Sequence, residues 1–310
     1  MELEPGLSAE EIIADLGDKA KPLLSSRLVG LSNLSPDELE LLDKVWATIE
    51  PKRRRQIVYR LVELVEDNFE LNFDDIFRYC LKDEDSEVKC KAIEGLWESE
   101  EPSLVSPLVE LLEQDSSADV QAMAASALGN FAMLAEQEKL RSCRKAKICQ
   151  ALFDIIDDQS RTIGVRRRAL EAASPLSLPQ VSQAIRQAYQ SHNPEFKVSA
   201  IYAMGRNYDP AWLPILLKEL ASADAEIRYE AVVACGEMGR EGAVAPATRL
   251  VNDPDTDVRL AAIQALGKIG GSEAKNCLEE CRYNSSEAVR EAARQALAEL
   301  EAWETPLSFR

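Results

Sequence analysis

From Asp255 to Gly270 the chain reads Asp-Thr-Asp-Val-Arg-Leu-Ala-Ala-Ile-Gln-Ala-Leu-Gly-Lys-Ile-Gly. Counted from Val258, the apolar residues Ala262, Ile263 and Leu266 stand at +4, +5 and +8, with Gly267 at +9. At the turn angle of an α-helix these four apolar positions share one arc of about 140°, so the spacing predicts an amphipathic helix with a single buried face. The same template stands at Ile227 (Ala231, Val232, Cys235, Gly236) and at Phe196 (Ala200, Ile201, Met204, Gly205). Val165 carries Ala169, Leu170 and Ala173; Val289 carries Ala293 and Leu297 but has Arg294 at +5. The anchors 165, 196, 227, 258 and 289 lie 31 residues apart. Upstream, Ile57, Val88 and Val120 carry it as well, and the steps from Ile57 to Val165 are 31, 32 and 45. A fixed period of this size predicts a solenoid, in which each unit completes its core against its neighbours.

A second feature keeps the same register. Three residues before the anchors stand Asp85, Ser117, Thr162, Asn193, Asp224, Asp255 and Ser286. All are types that accept a hydrogen bond from the free amides of a helix's first turn. One residue before the anchor, Glu87, Asp119, Glu195, Glu226 and Asp257 place negative charge at the positive helix end. The first copy has Arg54 at the cap position instead.

The predicted elements follow in order. Ser8 and Glu11 form a capping box that opens a short helix through about Leu16, and Leu23–Leu34 reads as a connecting segment. Ser35 and Glu38, with Pro36 at the first helical position, open the helix Leu39–Ile49, and Pro51–Val65 is its partner. First helices of later units are expected at Phe73–Leu81, Leu104–Leu112, Ile148–Ile156, Val181–Tyr189, Ala211–Leu220, Ala243–Val251 and Glu273–Cys281. Pro107, Pro214 and Pro246 lie early in three of them, where they start or bend the helix. Gly239 and Gly270 at +12 are expected to end their helices in the left-handed conformation. The long step holds an insertion near residues 133–147, either extended helix or exposed loop. The expected organisation is an N-terminal segment 1–34, an all-α solenoid over 35–303 of about eight helix pairs, and a tail 304–310.

Composition is consistent with this. The 310 residues are 46% hydrophobic and only 6% aromatic, which suits thin, Ala-rich helix packing. The formal charge of −18 argues against non-specific attraction to nucleic acid or to an anionic membrane. Seven scattered cysteines, with no export signal in the acidic start Met1–Glu4 and no apolar run of membrane length, point to reduced thiols in a cytoplasmic protein.

With Asp255-x-x-Val258-Arg259-x-x-Ala262-x-x-Ala265-Leu266-Gly267 in view, the chain resembles the HEAT repeats, most closely the short subtype named after phycobilisome lyases. The resemblance covers about residues 35–300, is clearest from Phe196 onward, and implies an α-solenoid whose template helices line a concave side. It does not imply one function, because the fold hosts scaffolds, regulators and a few enzymes.

Several constellations bear on chemistry. Position +1 is basic or polar in seven successive units: Lys89, Gln121, Arg166, Lys197, Arg228, Arg259 and Arg290. They form either a ladder for anions or an internal glue pairing with neighbouring acids and carbonyls, and the position of +1 inside the apolar arc favours glue. Asp253, Asp255 and Asp257 alternate like a calcium loop, but Val258 and Gln264 occupy the places where that loop needs Gly and Glu, so capping accounts for them. Cys277 and Cys281 share a helix face without further ligands, which favours packing over metal binding. His192 is the single histidine, so the His–Glu pairs that HEAT-like hydroxylases of hypusine precursors use for two irons cannot be assembled. HEAT-like DNA glycosylases need a strongly basic groove that this acidic chain lacks. A basic block (Lys139, Arg141, Arg144, Lys145, Lys147, Arg161, Arg166, Arg167, Arg168) either pairs with nearby acids or docks an acidic partner.

These observations predict no catalytic residues, no metal and no cofactor. The expected function is a non-catalytic scaffold binding a protein or peptide. A bilin-lyase-like subunit, suggested by repeat subtype, and a nucleic-acid binder through the basic block are the alternatives. If the template helices line the groove, positions +2, +3 and +6 face the partner. They are Arg167, Arg168 and Glu171; Val198, Ser199 and Tyr202; Tyr229, Glu230 and Val233; and Leu260, Ala261 and Gln264. Exposed tyrosines and aliphatics beside a charged rim have the anatomy of an interface.

Overall fold

In the computed structural model, which describes residues 7–304, every regular element is helical. The expected C-terminal tail lies outside the described residues beyond Glu304, as does the acidic start Met1–Glu4. The chain divides into two compact units, residues 1–165 and 166–310.

The first unit opens with α1 (Ala9–Asp15), on which both halves of the Ser8–Glu11 capping box form. The segment expected as a plain connector contains α2 (Ser25–Leu28) and a 3-10 turn at Val29–Leu31, because Leu28 and Leu31 are drawn into the core. Helix pairs follow: α3 (Pro36–Trp46) with α4 (Pro51–Asp67), α5 (Asp74–Cys80) with α6 (Ser86–Gly95), and α7 (Val105–Gln114) with α8 (Ala118–Glu136). The insertion proves to be helix on both sides: α8 runs on to Glu136 and α9 (Ser142–Asp157) starts early, joined by a short turn in which Glu138 has φ 60°. The division between units falls within α10 (Ile163–Ala173).

The second unit continues with α11 (Pro179–Tyr189) and α12 (Pro194–Asn207), α13 (Leu213–Glu219) and α14 (Ala225–Met238), α15 (Val244–Leu250) and α16 (Thr256–Ile269), and α17 (Ser272–Cys281) and α18 (Glu287–Glu304). Pro214 and Pro246 sit in the opening turns of α13 and α15, each preceded by a 3-10 turn, where the missing amide costs no helical bond. The architecture is an all-α solenoid, with eight helix pairs among the described residues. None of those helices is long and apolar enough to cross a membrane.

Six template helices begin at the cap residue expected. Asp85, Ser117, Thr162, Asn193, Asp224 and Asp255 all accept a first-turn amide. Helix α4, lacking the cap, starts at Pro51 instead, with no side-chain cap. Gly239 ends α14 at φ 59°, ψ 30°, the left-handed cap expected. Gly270 departs from that expectation, with φ 73° and ψ −163°. The next helix begins at Ser272, so Gly270 and Gly271, both at positive φ, turn the chain within two residues.

The +1 residues are glue. Arg228 reaches Asp253 and the carbonyls of Ser222 and Ala223, while Arg259 holds the carbonyls of Asp253 and Pro254. Arg290 likewise holds Asn284 and Ser285, Lys89 pairs with Asp115, and Lys197 with Glu219. The apolar face is buried in register with this glue. Val258, Ala262, Ile263 and Leu266, and their counterparts in α12 and α14, are buried. Between helices the spacing is set by small residues. A Cβ on Gly205 would lie 2.7 Å from the Ala234 Cα, one on Gly236 2.9 Å from the Ala265 Cα, and one on Gly267 2.9 Å from the Ala296 Cβ. Glycine at +9 against alanine at +7 of the next unit therefore brings neighbouring template helices close to backbone contact.

Candidate interaction surface

Within the second unit, α12, α14, α16 and α18 lie side by side. Helices α12, α14 and α16 are flanked by template helices on both edges, so their buried arc is wider than one face. Val198, Ser199 and Ala261, expected on the open side, are buried for this reason. The open side retains Tyr202 (half-buried) on α12, Tyr229 (39% exposed), Glu230 and Val233 (both half-buried) on α14, and half-buried Leu260 with exposed Gln264 on α16.

The charged residues expected on the rim are tied together at the α10 edge. Arg167 Nε donates to Ser199 Oγ at 2.8 Å and its Nη1 to Glu195 at 2.6 Å. Ser199 Oγ in turn donates to Glu171 at 2.5 Å, and Arg168 Nη1 reaches the other Glu171 oxygen at 2.6 Å. The buried Ser199 is thus the hinge of a five-residue polar network. Further along the face, Arg206 Nε donates to Tyr202 Oη at 3.3 Å, and Glu237 accepts Lys268 at 2.5 Å, with Arg206 at 3.8 Å.

Glu230 differs from these. Its carboxylate has no hydrogen bond or ion pair among the described residues. Burial, then the negative charges of Glu171 and Glu226, push its carboxyl up to about 7, against the weaker pull of Arg167. Glu171, on α10, is thus both the acceptor of Ser199 Oγ and a charge felt by Glu230, on α14.

Several members of the basic block are paired within their own unit. In the first unit Lys145 pairs with Glu136, Lys147 donates to Ser106, and Arg161 bonds Asp158 and the Glu113 carbonyl. In the second, Arg167 and Arg168 are spent in the network just described. His192 is exposed in the turn before α12.

Sequence reading missed one recurrent position, five residues before the anchor. Asp83, Asp115, Ser191, Ser222, Asp253 and Asn284 each accept the amide of the cap residue two positions on. Asp83, Asp115 and Asp253 also bind a cation carried by the preceding template helix: Arg54, Lys89 and Arg228. Asp83 takes the Trp46 indole N–H as well, at 2.7 Å. The signal was present in the aspartate alternation that resembles a calcium loop.

A sequence model of the HEAT repeats matches residues 75–148 and 213–298. No match was found among curated proteins. Among solved structures, the Kap95:Nup1 complex aligns with a TM-score of 0.54 at 13% identity, over 96% of this chain and 46% of that one. The X-ray structure of YibA from E. coli aligns with a TM-score of 0.46 at 17% identity, over 77% of this chain and 96% of that one. Human deoxyhypusine hydroxylase in complex with glycerol gives 0.37 at 16% identity, over 95% and 97%. At these identities the likeness concerns the fold alone.

Proposed function

The chain belongs to the HEAT-repeat family, and on that premise we propose that it is a non-catalytic scaffold whose α12–α14–α16 face binds a protein or peptide. The observation that carries this reading is the row formed by Tyr202, Tyr229, Val233 and Leu260. These apolar and aromatic side chains stay partly open on adjacent helices of a chain only 6% aromatic, while charged networks border them. Tyrosine is suited to such a place because it brings a large rigid surface and a polar tip at low entropic cost. The Kap95:Nup1 complex, which shares the fold, carries a protein partner.

The test compares the wild type with Tyr202→Ala/Tyr229→Ala in affinity capture from the native cell extract, followed by mass spectrometry. The expected result is loss of a specific partner with an unchanged melting temperature. Identical partner sets for two equally stable proteins would move the site to another surface.

A further inference from the structure

We propose that the segment bound on this face is cationic: a partner polypeptide that sets a Lys or Arg side chain against Glu230, with apolar neighbours over Tyr229, Val233 and Leu260. This rests on the interaction reading above and specifies the chemistry of the ligand.

The argument is one of charge complementarity at a defined place. Glu171, Glu195 and Glu237 each hold a cation supplied by the chain itself. Glu230 holds none, although it is half-buried and lies within reach of the charges of Glu171 and Glu226. Arg167 faces it from α10 but already serves Glu195 and Ser199. Helix α12 brings Ser199, Tyr202 and Arg206 to this side, and α16 brings Leu260, Ala261, Gln264 and Lys268; of their two cations, Arg206 is engaged with Tyr202 and Glu237, and Lys268 with Glu237. A carboxylate in such a site costs free energy until a positive charge meets it. A partner's ammonium or guanidinium group would supply that charge. An acidic segment would meet repulsion here, and an uncharged one would leave Glu230 uncompensated.

The pairing is linked to protons. The Glu230 carboxyl sits at about 7 in the free chain, and a bound cation draws it down, so binding expels a proton. Affinity is therefore expected to rise roughly tenfold between about pH 6 and pH 8.

The test pans random dodecapeptides displayed on phage against the full chain at about pH 8, the upper end of that range. Recovered peptides, synthesised with a fluorescein label, are titrated into the wild type, Glu230→Gln and Tyr202→Ala/Tyr229→Ala, with thermal melts of all three proteins. The expected peptides combine Lys or Arg with apolar residues. They bind Glu230→Gln at least about fivefold more weakly and lose their pH dependence there, because Gln neither pairs with a cation nor titrates in this range. Cationic peptides indifferent to Glu230→Gln would overturn the proposal. Neutral or acidic peptides weakened by the tyrosine variant would overturn it too, while leaving the interaction face standing. Peptides indifferent to the tyrosine variant, or no enrichment at all, would remove both.

Discussion

Arg228 and Asp253 meet fork to fork, Nε to Oδ2 and Nη2 to Oδ1, both at 2.8 Å, with side chains only 12% and 4% exposed. The pair joins one template helix to the turn that opens the next. Removing either partner leaves the other charge buried, so Asp253→Ala is expected to cost about 3–5 kcal/mol in denaturant unfolding. A double variant, Arg228→Met with Asp253→Leu, should cost less than the two single changes summed. Additive losses would show that the pair is not coupled.

The same pair sets an acid limit. Hydrogen bonds from Arg228 hold the Asp253 carboxyl below the usual aspartate range, against the opposing effect of burial. Its folded value is thus below the unfolded one of about 3.9, so the stabilisation is complete above roughly pH 4 and disappears as pH falls through the folded value. Asp253→Asn should flatten that part of the stability–pH curve. An unchanged acid limb would count against the assignment.

Gly205→Ala places a methyl group against the Ala234 backbone, and the expected loss is about 1–3 kcal/mol despite alanine's better helix propensity. Gly164→Ala is the control. That helical glycine has nothing within 4 Å of the added atom, so the change should be neutral or stabilising by up to about 1 kcal/mol. Equal melting temperatures for both variants would rule out glycine as the spacer between template helices.

Glu230→Gln is expected to raise the melting temperature above about pH 7. A carboxyl held at about 7 when folded, against about 4.3 unfolded, makes the folded state bind the proton more tightly. Stability therefore falls as pH rises from about 4 to 7, and the glutamine variant escapes that fall. A lower melting temperature for the variant at neutral pH would mean that Glu230 has a stabilising partner.

Thiol reactivity should follow burial. Cys143 is exposed, whereas Cys80 and Cys235 are buried, and burial alone pushes the Cys235 thiol up to about 12. Treatment of the native protein with a chromogenic disulfide is expected to label Cys143 first and to reach Cys80 and Cys235 only on unfolding. Early labelling of Cys235 would reveal opening of α14.

Much of the fold was legible because a repeat reports itself several times over. The cap position at Asp224 or Asp255, the apolar quartet and the glycine at +9 are each tied to local geometry that one helix must satisfy. What the single-helix reading could not show lies between helices. Val198, Ser199 and Ala261 face outward on an isolated helix, and only the neighbour on each side buries them. The alanines at +7, Ala234, Ala265 and Ala296, read as ordinary helix formers until each is seen beneath a glycine of the preceding unit. On sequence, Glu230 is expected to face the partner as one residue among several. Its isolation emerges only when Arg167, Arg168 and Lys268 are found committed elsewhere.

In three units the acid that answers the template helix's cation lies further along the chain: Asp115 for Lys89, Glu219 for Lys197, Asp253 for Arg228. A ribosome releases the chain from its amino end, so the cation emerges before its acid, 22 to 26 residues ahead. A newly made helix pair therefore waits unneutralised until the following turn clears the exit tunnel. In those units the last counter-charge arrives with the successor and not with the unit's own completion.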